Sequence, residues 1–106
     1  MSEPRVIRIS DPLPAVLPKR RKGLEVAEFE TELVVLDTAS KQAHHLDGLA
    51  SIVFDACDGR TRSQELIRQV AEATGSEPTA VASEVTELWR SFVRLGLVVV
   101  QARSSR

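Results

Sequence analysis

The spacing of hydrophobic and polar positions along the chain changes near residue 47. Before that point, short runs of strand-forming residues alternate with polar turns, and the three runs are Leu24–Phe29, Leu33–Leu36 and Gln42–Leu46. The turns between them, Glu30–Glu32 and Asp37–Lys41, are too short for anything but antiparallel neighbours. The pattern therefore predicts a three-stranded antiparallel meander.

From residue 47 to residue 96 the apolar residues recur every three or four positions, which is the period of an α-helix. Three such stretches follow one another, and their apolar positions are Leu49, Ile52, Val53, Ala56 and Cys57, then Leu66, Ile67, Val70 and Ala71, then Val81, Val85, Leu88, Phe92 and Leu95. Gly59, Gly75 and Gly96 come directly after them, as is typical of helix C-termini. We therefore predict three helices.

Each predicted helix also has an N-terminal signal. Asp47 is the predicted N-cap of the first helix, and Thr61–Gln64 fits a capping box for the second. Ser76 is the predicted N-cap of the third, with Pro78 in its first turn, where a missing N–H removes no hydrogen bond. Three strands followed by three helices predict an α+β fold with the sheet packed on the helices. Because the last two helices also fit a helix-turn-helix, the expected fold is winged-helix-like.

The two ends of the chain differ in composition from its middle. Residues 1–23 hold four of the five prolines and six Lys or Arg residues, and we expect a loosely ordered basic lead-in with a possible short strand at residues 5–9. Residues 24–100 are predicted to form the folded domain, which ends in the apolar segment Leu97–Val100. Residues 101–106 are expected to form a polar tail.

The composition argues against several kinds of catalytic or metal site. Cys57 is the only cysteine, and its place on an apolar helix face predicts a buried packing residue. His44 and His45 are the only histidines, and neighbours on a strand point to opposite faces, so they cannot share a metal ion. One of them could still line a ligand groove. The glycines are isolated, which excludes a phosphate-binding loop. We therefore predict no enzyme, cofactor or metal.

Charge and hydropathy narrow the choice of compartment and partner. The formal net charge is −1, and residues 23–106 carry eight basic and thirteen acidic residues, a net of −5. An acidic body of this kind does not favour nucleic acid or an anionic membrane. No apolar run reaches the roughly 18 residues of a membrane span, and no signal-peptide pattern is present. We expect a cytoplasmic protein with neither a membrane nor a nucleic-acid partner.

A pattern of residues between Gly23 and Leu97 resembles a known family. Its members in this chain are Leu46, Asp47, Ala50, Ile52, Asp58, Gly59, Thr61, Glu65, Leu66, Glu84, Val85, Leu88, Trp89, Phe92, Gly96 and Leu97. In order and spacing they resemble the PqqD-like family, named after pyrroloquinoline quinone biosynthesis protein D. The chain departs from the family at Asp47, where Asn is usual, at Glu84, where Asp is commoner, and at Trp89, where an aliphatic residue is usual.

The resemblance implies a non-catalytic peptide chaperone, called a precursor-peptide recognition element. Such a domain holds the leader of a ribosomally made peptide and presents it to a modifying enzyme, often a radical SAM protein. The leader is expected to add as a strand beside the third strand and to lie against the third helix. Carried over to this chain, the peptide-binding residues are Gln42, Ala43, His44, His45, Leu46, Ala82, Val85, Trp89 and Val93. Independently, the third strand of a meander has a free edge, which is a template for strand addition.

Two alternative functions remain open from the sequence. A winged-helix regulator would bind DNA through its third helix, and the basic run Lys19–Lys22 could assist. Against this, the third helix carries three glutamates against two arginines, which disfavours contact with phosphates. An adaptor subunit would instead bind a folded enzyme through the apolar segment Leu97–Val100.

Overall fold

Residues 12–99 are described by the computed structural model, so the possible strand at residues 5–9 and the polar tail at residues 101–106 lie outside the described part of the chain. Three strands come first: β1 (Leu24–Phe29), β2 (Glu32–Asp37) and β3 (Gln42–Leu46). Three helices follow: α1 (Leu49–Asp55), α2 (Ser63–Thr74) and α3 (Pro78–Leu95). The predicted α+β order of elements is confirmed.

The strands form one antiparallel sheet in the order β1-β2-β3. Along β2, Leu33, Val35 and Asp37 are buried while Val34 and Leu36 are more accessible. This alternation is expected when one face of a sheet packs on the core and the other faces solvent. The outer face of the sheet therefore stays uncovered by the described residues.

The core lies between the inner face of the sheet and the three helices. Val35 and Leu46 contribute from the sheet, and Phe54 from α1 and Phe92 from α3 are its largest members. The two phenyl rings meet edge to face, with centroids 5.6 Å apart at an interplanar angle of 84°. This geometry is favourable for aromatic pairs and ties α1 to α3.

Part of the N-terminal lead-in, which was expected to be loosely ordered, packs on the folded domain. Residues 13–22, here called the N-terminal segment, run beside the α1–α2 connection, where Leu17 donates to the Thr61 carbonyl at 2.8 Å and Arg20 to the Cys57 carbonyl at 3.2 Å. Leu17 itself is fully buried. The prolines fix extended geometry in this segment, and extended backbone can pair with a neighbouring extended segment. The described part of the lead-in is therefore packed.

The end of the chain pairs with the same segment from its other side. Arg20 bridges to Val98, and the Val99 N–H donates to the Lys19 carbonyl at 2.8 Å. Leu97 and Val98 are both buried. The apolar segment after α3 thus completes the core, and the two buried residues are not available as a docking surface for an adaptor.

The predicted side-chain caps are wrong at all three helices. The N-cap residue of α1 is Gly48, with φ 54° and ψ −130°, a conformation that glycine adopts without strain, and no side chain caps this end. The Thr61 hydroxyl donates to the Asp58 carboxylate instead of capping α2, whose N-cap residue is Arg62. Tertiary and turn contacts have replaced the local motif in both places.

The third helix begins one residue later than predicted. Its N-cap residue is Glu77, and the Ser76 N–H donates to the Ala71 carbonyl at 3.2 Å as part of the end of α2. Pro78 occupies the first turn of α3, as predicted. The connection from Gly75 to Glu77 is therefore shared between the end of one helix and the start of the next.

The apolar stripes of α1 and α3 are displaced slightly from the predicted ones. Ile52 is 50% exposed and Leu95 is 44% exposed. The prediction that these two residues belong to the core is therefore wrong. Trp89, at 6% exposure, lies on the buried stripe of α3 together with Val81, Val85 and Phe92. Leu88 is only partly buried. The buried side of α3 thus lies one position away from the centre of the predicted stripe.

Candidate functional site

The outer side of β3 is a free edge of the sheet. β2 pairs with one side of β3, and no strand within residues 12–99 pairs with the other. Unpaired N–H and C=O groups in such an edge can accept an additional strand. The edge is the first part of the candidate site.

The two-residue turn between β1 and β2 sets the direction of hydrogen bonding across the sheet. Glu30 and Thr31 form this turn, and Phe29 lies opposite Glu32. The pair that closes a two-residue hairpin exchanges both backbone hydrogen bonds, and such pairs alternate with pairs that exchange none. Even-numbered residues of β2 therefore bond to β1. Thr38, the next even-numbered residue after β2, follows the same alternation, since its N–H donates to the Gly23 carbonyl at 3.4 Å.

Odd-numbered residues of β2 consequently bond to β3. The opposed pairs that share these bonds are Leu33–Leu46, Val35–His44 and Asp37–Gln42. The alternation leaves Ala43 and His45 with their N–H and C=O groups directed to the open edge. These two residues supply the backbone groups with which an added strand would pair.

The side chains of β3 divide between the two faces of the sheet, as predicted for adjacent histidines. His45 is exposed on the outer face, where its Nε2 lies 2.7 Å from the Glu32 carboxylate. His44 is half-buried on the inner face, on the same side as the buried Leu46. The two imidazoles therefore cannot act together on one ligand, while His44 is the one that faces the helix layer.

An open cleft of about 460 Å³ lies between the β3–α1 connection and α3. Its lining residues come from the β3–α1 connection and from one side of α3, and they are Asp47, Leu49, Ala50, Ser83, Glu84, Glu87 and Leu88. Leu49, Ala50 and Leu88 also pack against the core, so they form an apolar floor. The three carboxylates stand at the rim. The cleft is thus an apolar groove with an acidic border.

The residues predicted to form the helix wall lie on the side of α3 adjacent to the one lining the cleft. Val85 is fully buried and Trp89 is 6% exposed, while Ala82 and Val93 are partly buried. The cleft is lined instead by the neighbouring positions 83, 84, 87 and 88. The spacing of apolar residues along α3 identifies the side of the helix that is buried. It does not indicate which of the two neighbouring sides of the helix faces an open cleft. Sequence reasoning therefore missed the cleft residues of α3.

The N-terminal segment and β2 are tied to the end of α3 by Arg21. Its Nη2 donates to the Asp37 carboxylate at 2.6 Å, and its Nε donates to the Gly96 carbonyl at 2.6 Å. The hydrogen bond from Arg21 lowers the pKa of the Asp37 carboxyl below its ordinary value, with backbone N–H groups of the following turn adding to the effect. These contacts hold α3 in its orientation beside the sheet.

The basic run at residues 19–22 is only partly available to a partner. Besides Arg21, Arg20 is engaged within the fold, since its guanidinium carbon lies 5.7 Å from the centre of the Phe54 ring and its Nη1 lies 3.7 Å from the Asp55 carboxylate. Lys19 and Lys22 are exposed. Two of the four charges thus stabilise the packing of the N-terminal segment.

The described residues include one buried thiol and no cluster of metal ligands. Cys57 is buried as predicted, and burial raises the pKa of its thiol to about 12, which leaves it protonated and unreactive near neutral pH. Within residues 12–99, no group of three or more His, Cys, Asp or Glu residues is placed to hold a metal ion. No helix in the same range is long and apolar enough to cross a membrane.

Comparisons with known proteins agree with this architecture. Residues 32–98 match the model of the family described as coenzyme PQQ synthesis protein D (PqqD). A comparison with curated protein sequences found no match. Among solved structures, the chain is similar to TbiB1 in complex with the TbiA(beta) leader peptide, with a TM-score of 0.71 and 16% identity over 80% of this chain and 99% of that chain. At this identity the likeness shows the fold. Because the family model matches more than half of its length, the chain belongs to the PqqD family, as its residue pattern predicts.

Proposed function

We propose that this protein is a non-catalytic recognition element that binds the leader of a ribosomally synthesised precursor peptide and presents it to a modifying enzyme. The observation that carries the proposal is the free edge of β3, whose last residue, Leu46, directly precedes the cleft residue Asp47. Membership of the PqqD family supports it. The structurally similar TbiB1 is itself described in complex with a leader peptide, which is consistent with this mode.

The geometry of β3 indicates how the peptide is held. The outward groups of Ala43 and His45 are two residues apart, roughly 6.8 Å along the strand, which is the repeat of a paired strand. An added strand can therefore exchange backbone hydrogen bonds with both residues. Every second side chain of that strand then faces the helix layer. We expect those beside the end of β3 to reach the cleft, because the cleft begins at Asp47, directly after Leu46. Backbone pairing provides affinity, and the cleft provides selectivity.

The proposed contact surface combines predicted and newly identified residues. Gln42–Leu46 remain the strand part of the site. On α3 we assign the contact to Ser83, Glu84, Glu87 and Leu88, because Val85 and Trp89 present little surface. Ala82 and Val93, partly buried, stay at the border of this surface as predicted contacts.

The identity of the partner enzyme and the compartment form the finer part of the proposal. The family resemblance implies a modifying enzyme such as a radical SAM protein that acts on the held peptide. We place the protein in the cytoplasm, where precursor peptides are made. DNA binding is disfavoured because Glu84 and Glu87 are exposed on α3 and Glu77 is exposed at its N-cap.

Calorimetric titration with candidate leader peptides tests the strand-addition mode. Replacing Ala43 with proline removes an outward N–H, and we expect a loss of affinity of at least about tenfold, more than a single neutral hydrogen bond provides, because the proline ring also obstructs pairing. Glu28→Pro is the matched control, because the same alternation directs the Glu28 N–H outward from the opposite edge. Affinity for this control should equal that of the wild type.

Both variants must remain folded for the comparison, which circular dichroism and urea denaturation verify. His44→Pro is unsuitable, because the His44 N–H is directed to β2 and its removal weakens the sheet itself. Unchanged affinity in a folded Ala43→Pro variant, or an equal loss in both variants, would contradict strand addition at β3.

A further inference from the structure

We infer that the leader segment crossing the cleft carries a Lys or Arg side chain two positions from an apolar side chain. The inference rests on the proposed function, since it specifies the peptide that β3 and the cleft select. It is carried by a cleft with an apolar floor and an acidic rim that begins at Asp47, directly after the last residue of a free strand edge.

The rim brings three carboxylates to one opening. Glu84 and Glu87 are three residues apart on the same side of α3, and Asp47 faces the cleft from the β3–α1 connection. Like charges at this helical spacing repel one another. A cation held between them relieves that repulsion, which favours a basic ligand group over a neutral or acidic one.

The rim carboxylates also have few partners of their own. Some carboxylates outside the cleft are paired with a cation of the protein, as Asp37 is with Arg21 and Glu72 with Arg68. Within residues 12–99, neither Asp47 nor Glu84 lies in an ion pair. Glu87 lies 3.3 Å from Arg90, which leaves one of three rim charges matched on the protein itself. An incoming basic side chain supplies the missing charge.

The apolar floor explains the second half of the motif. Leu49, Ala50 and Leu88 expose part of their surface to the cleft while packing on the core with the rest. An apolar side chain placed on them loses water contact, which is favourable by about 25 cal/mol per Å² of buried surface. Side chains on one face of a strand recur every second residue, so a basic and an apolar residue that both face the cleft are two positions apart.

Selection from a random twelve-residue peptide display library tests the inference without knowledge of the natural precursor. The bait is the full chain, and enriched peptides are retested against Ala43→Pro to identify those that use the β3 edge. Among edge-dependent peptides we expect Lys or Arg at one position and an apolar residue two positions away. Their affinity should fall severalfold between 50 and 500 mM NaCl, because exposed charges are screened by salt.

A charge-removal variant and its matched control locate the source of this preference. The triple variant Asp47→Asn, Glu84→Gln and Glu87→Gln should bind the basic peptides about tenfold more weakly, with each substitution contributing about twofold. The control triple variant Glu25→Gln, Glu28→Gln and Glu77→Gln changes the net charge equally at exposed positions outside the cleft. Its affinity should stay within twofold of the wild type.

The outcomes separate the inference from the proposed function. Edge-dependent peptides without a basic residue, or equal losses in the two triple variants, overturn the inference and leave strand addition intact. Enriched peptides that bind the Ala43→Pro variant as well as the wild type overturn the proposed function and the inference with it. Failure to enrich any peptide does the same.

Discussion

Two sides of α3 have different tasks although they belong to one continuous helix. The inner side presents Val81, Val85, Trp89 and Phe92, all of them buried in the fold. The side next to it presents Ser83, Glu84, Glu87 and Leu88 to the open cleft. One side packs on the core and fixes the position of the helix, and we propose that the other selects what binds beside β3. From this difference we expect that stability and selectivity can be changed separately, even by substitutions at adjacent residues.

The largest expected effect is on the inner side. Replacing Phe92 with alanine removes the edge-to-face contact with Phe54 and opens a cavity in the core. We expect the free energy of unfolding to fall by about 3–5 kcal/mol, as for other buried phenylalanines. Urea denaturation followed by circular dichroism measures it.

The matched control for that substitution is Leu95→Ala, one turn later on the same helix. Leu95 is half-exposed, so we expect a loss of less than about 1 kcal/mol. Similar losses for the two variants would show that α3 does not have a distinct core side.

The next effect concerns the cleft side and sharpens the comparison directly. Leu88→Ala truncates the apolar floor of the cleft, and we expect a threefold to tenfold loss of leader affinity, because apolar surface of the bound peptide loses its contact. The free energy of unfolding should fall by about 1 kcal/mol or less, since Leu88 is only partly buried. Titration calorimetry and urea denaturation together measure the two quantities. A large loss of stability with unchanged affinity would place Leu88 in the core.

A smaller effect tests how the orientation of α3 is maintained. The hydrogen bond from Arg21 lowers the pKa of Asp37 below the ordinary value of 3.8, so the stabilisation from this pair is present above pH 3.8 and is lost as the pH falls below it. We therefore expect Asp37→Asn to be less stable than the wild type at neutral pH. The difference between the two should shrink progressively below pH 3.8.

Denaturation of both proteins between pH 7 and pH 2 provides the measurement. Asp58→Asn is a comparison and should show a pH dependence of the same direction, because the pKa of Asp58 is also lowered, chiefly by the N–H groups of Thr61 and Arg60 and not by Arg21. A difference between wild type and Asp37→Asn that does not change with pH would refute the role of the Arg21 pair.

The smallest expected signal comes from Trp89, the only tryptophan. Because its side chain is buried on the inner side of α3, its emission should be blue-shifted and weakly quenched by acrylamide in the free protein. Leader binding at the cleft should alter that emission only slightly, while calorimetry reports saturation. A large change in Trp89 emission on binding would show that the peptide reaches the inner side, as the family resemblance implies.

Much of the fold could be predicted from local patterns. β1 and β3 have the predicted bounds, and β2 is longer by one residue at each end, since Glu32 and Asp37 belong to the ladder. Hydrophobic periodicity is sufficient here because each element must bury one face. The capping predictions failed because Asp47, Thr61 and Ser76 found other roles in turns and loop contacts, which local motifs do not describe.

The candidate site could be predicted only in part. The register of the meander makes β3 an edge, and the structure now identifies Ala43 and His45 as the residues whose backbone groups face outward. The role of the N-terminal segment was not predictable, because Leu17 and Arg21 meet partners far along the chain, at Thr61 and Gly96. Proline content indicated extended backbone but could not indicate what that backbone would pair with.

The sequence by itself determined the number, type and order of the elements, the free third strand and the family, because these depend on local periodicity and on the spacing of a few residues. Tertiary structure alone decided that residues 13–22 pack onto the domain, that Trp89 turns inward, and that Glu84, Glu87 and Leu88 face a cleft with Asp47. The rotation of a helix about its own axis depends on every surface packed against it. Those contacts involve residues far apart in the sequence, so the hydrophobic pattern of one segment does not contain them.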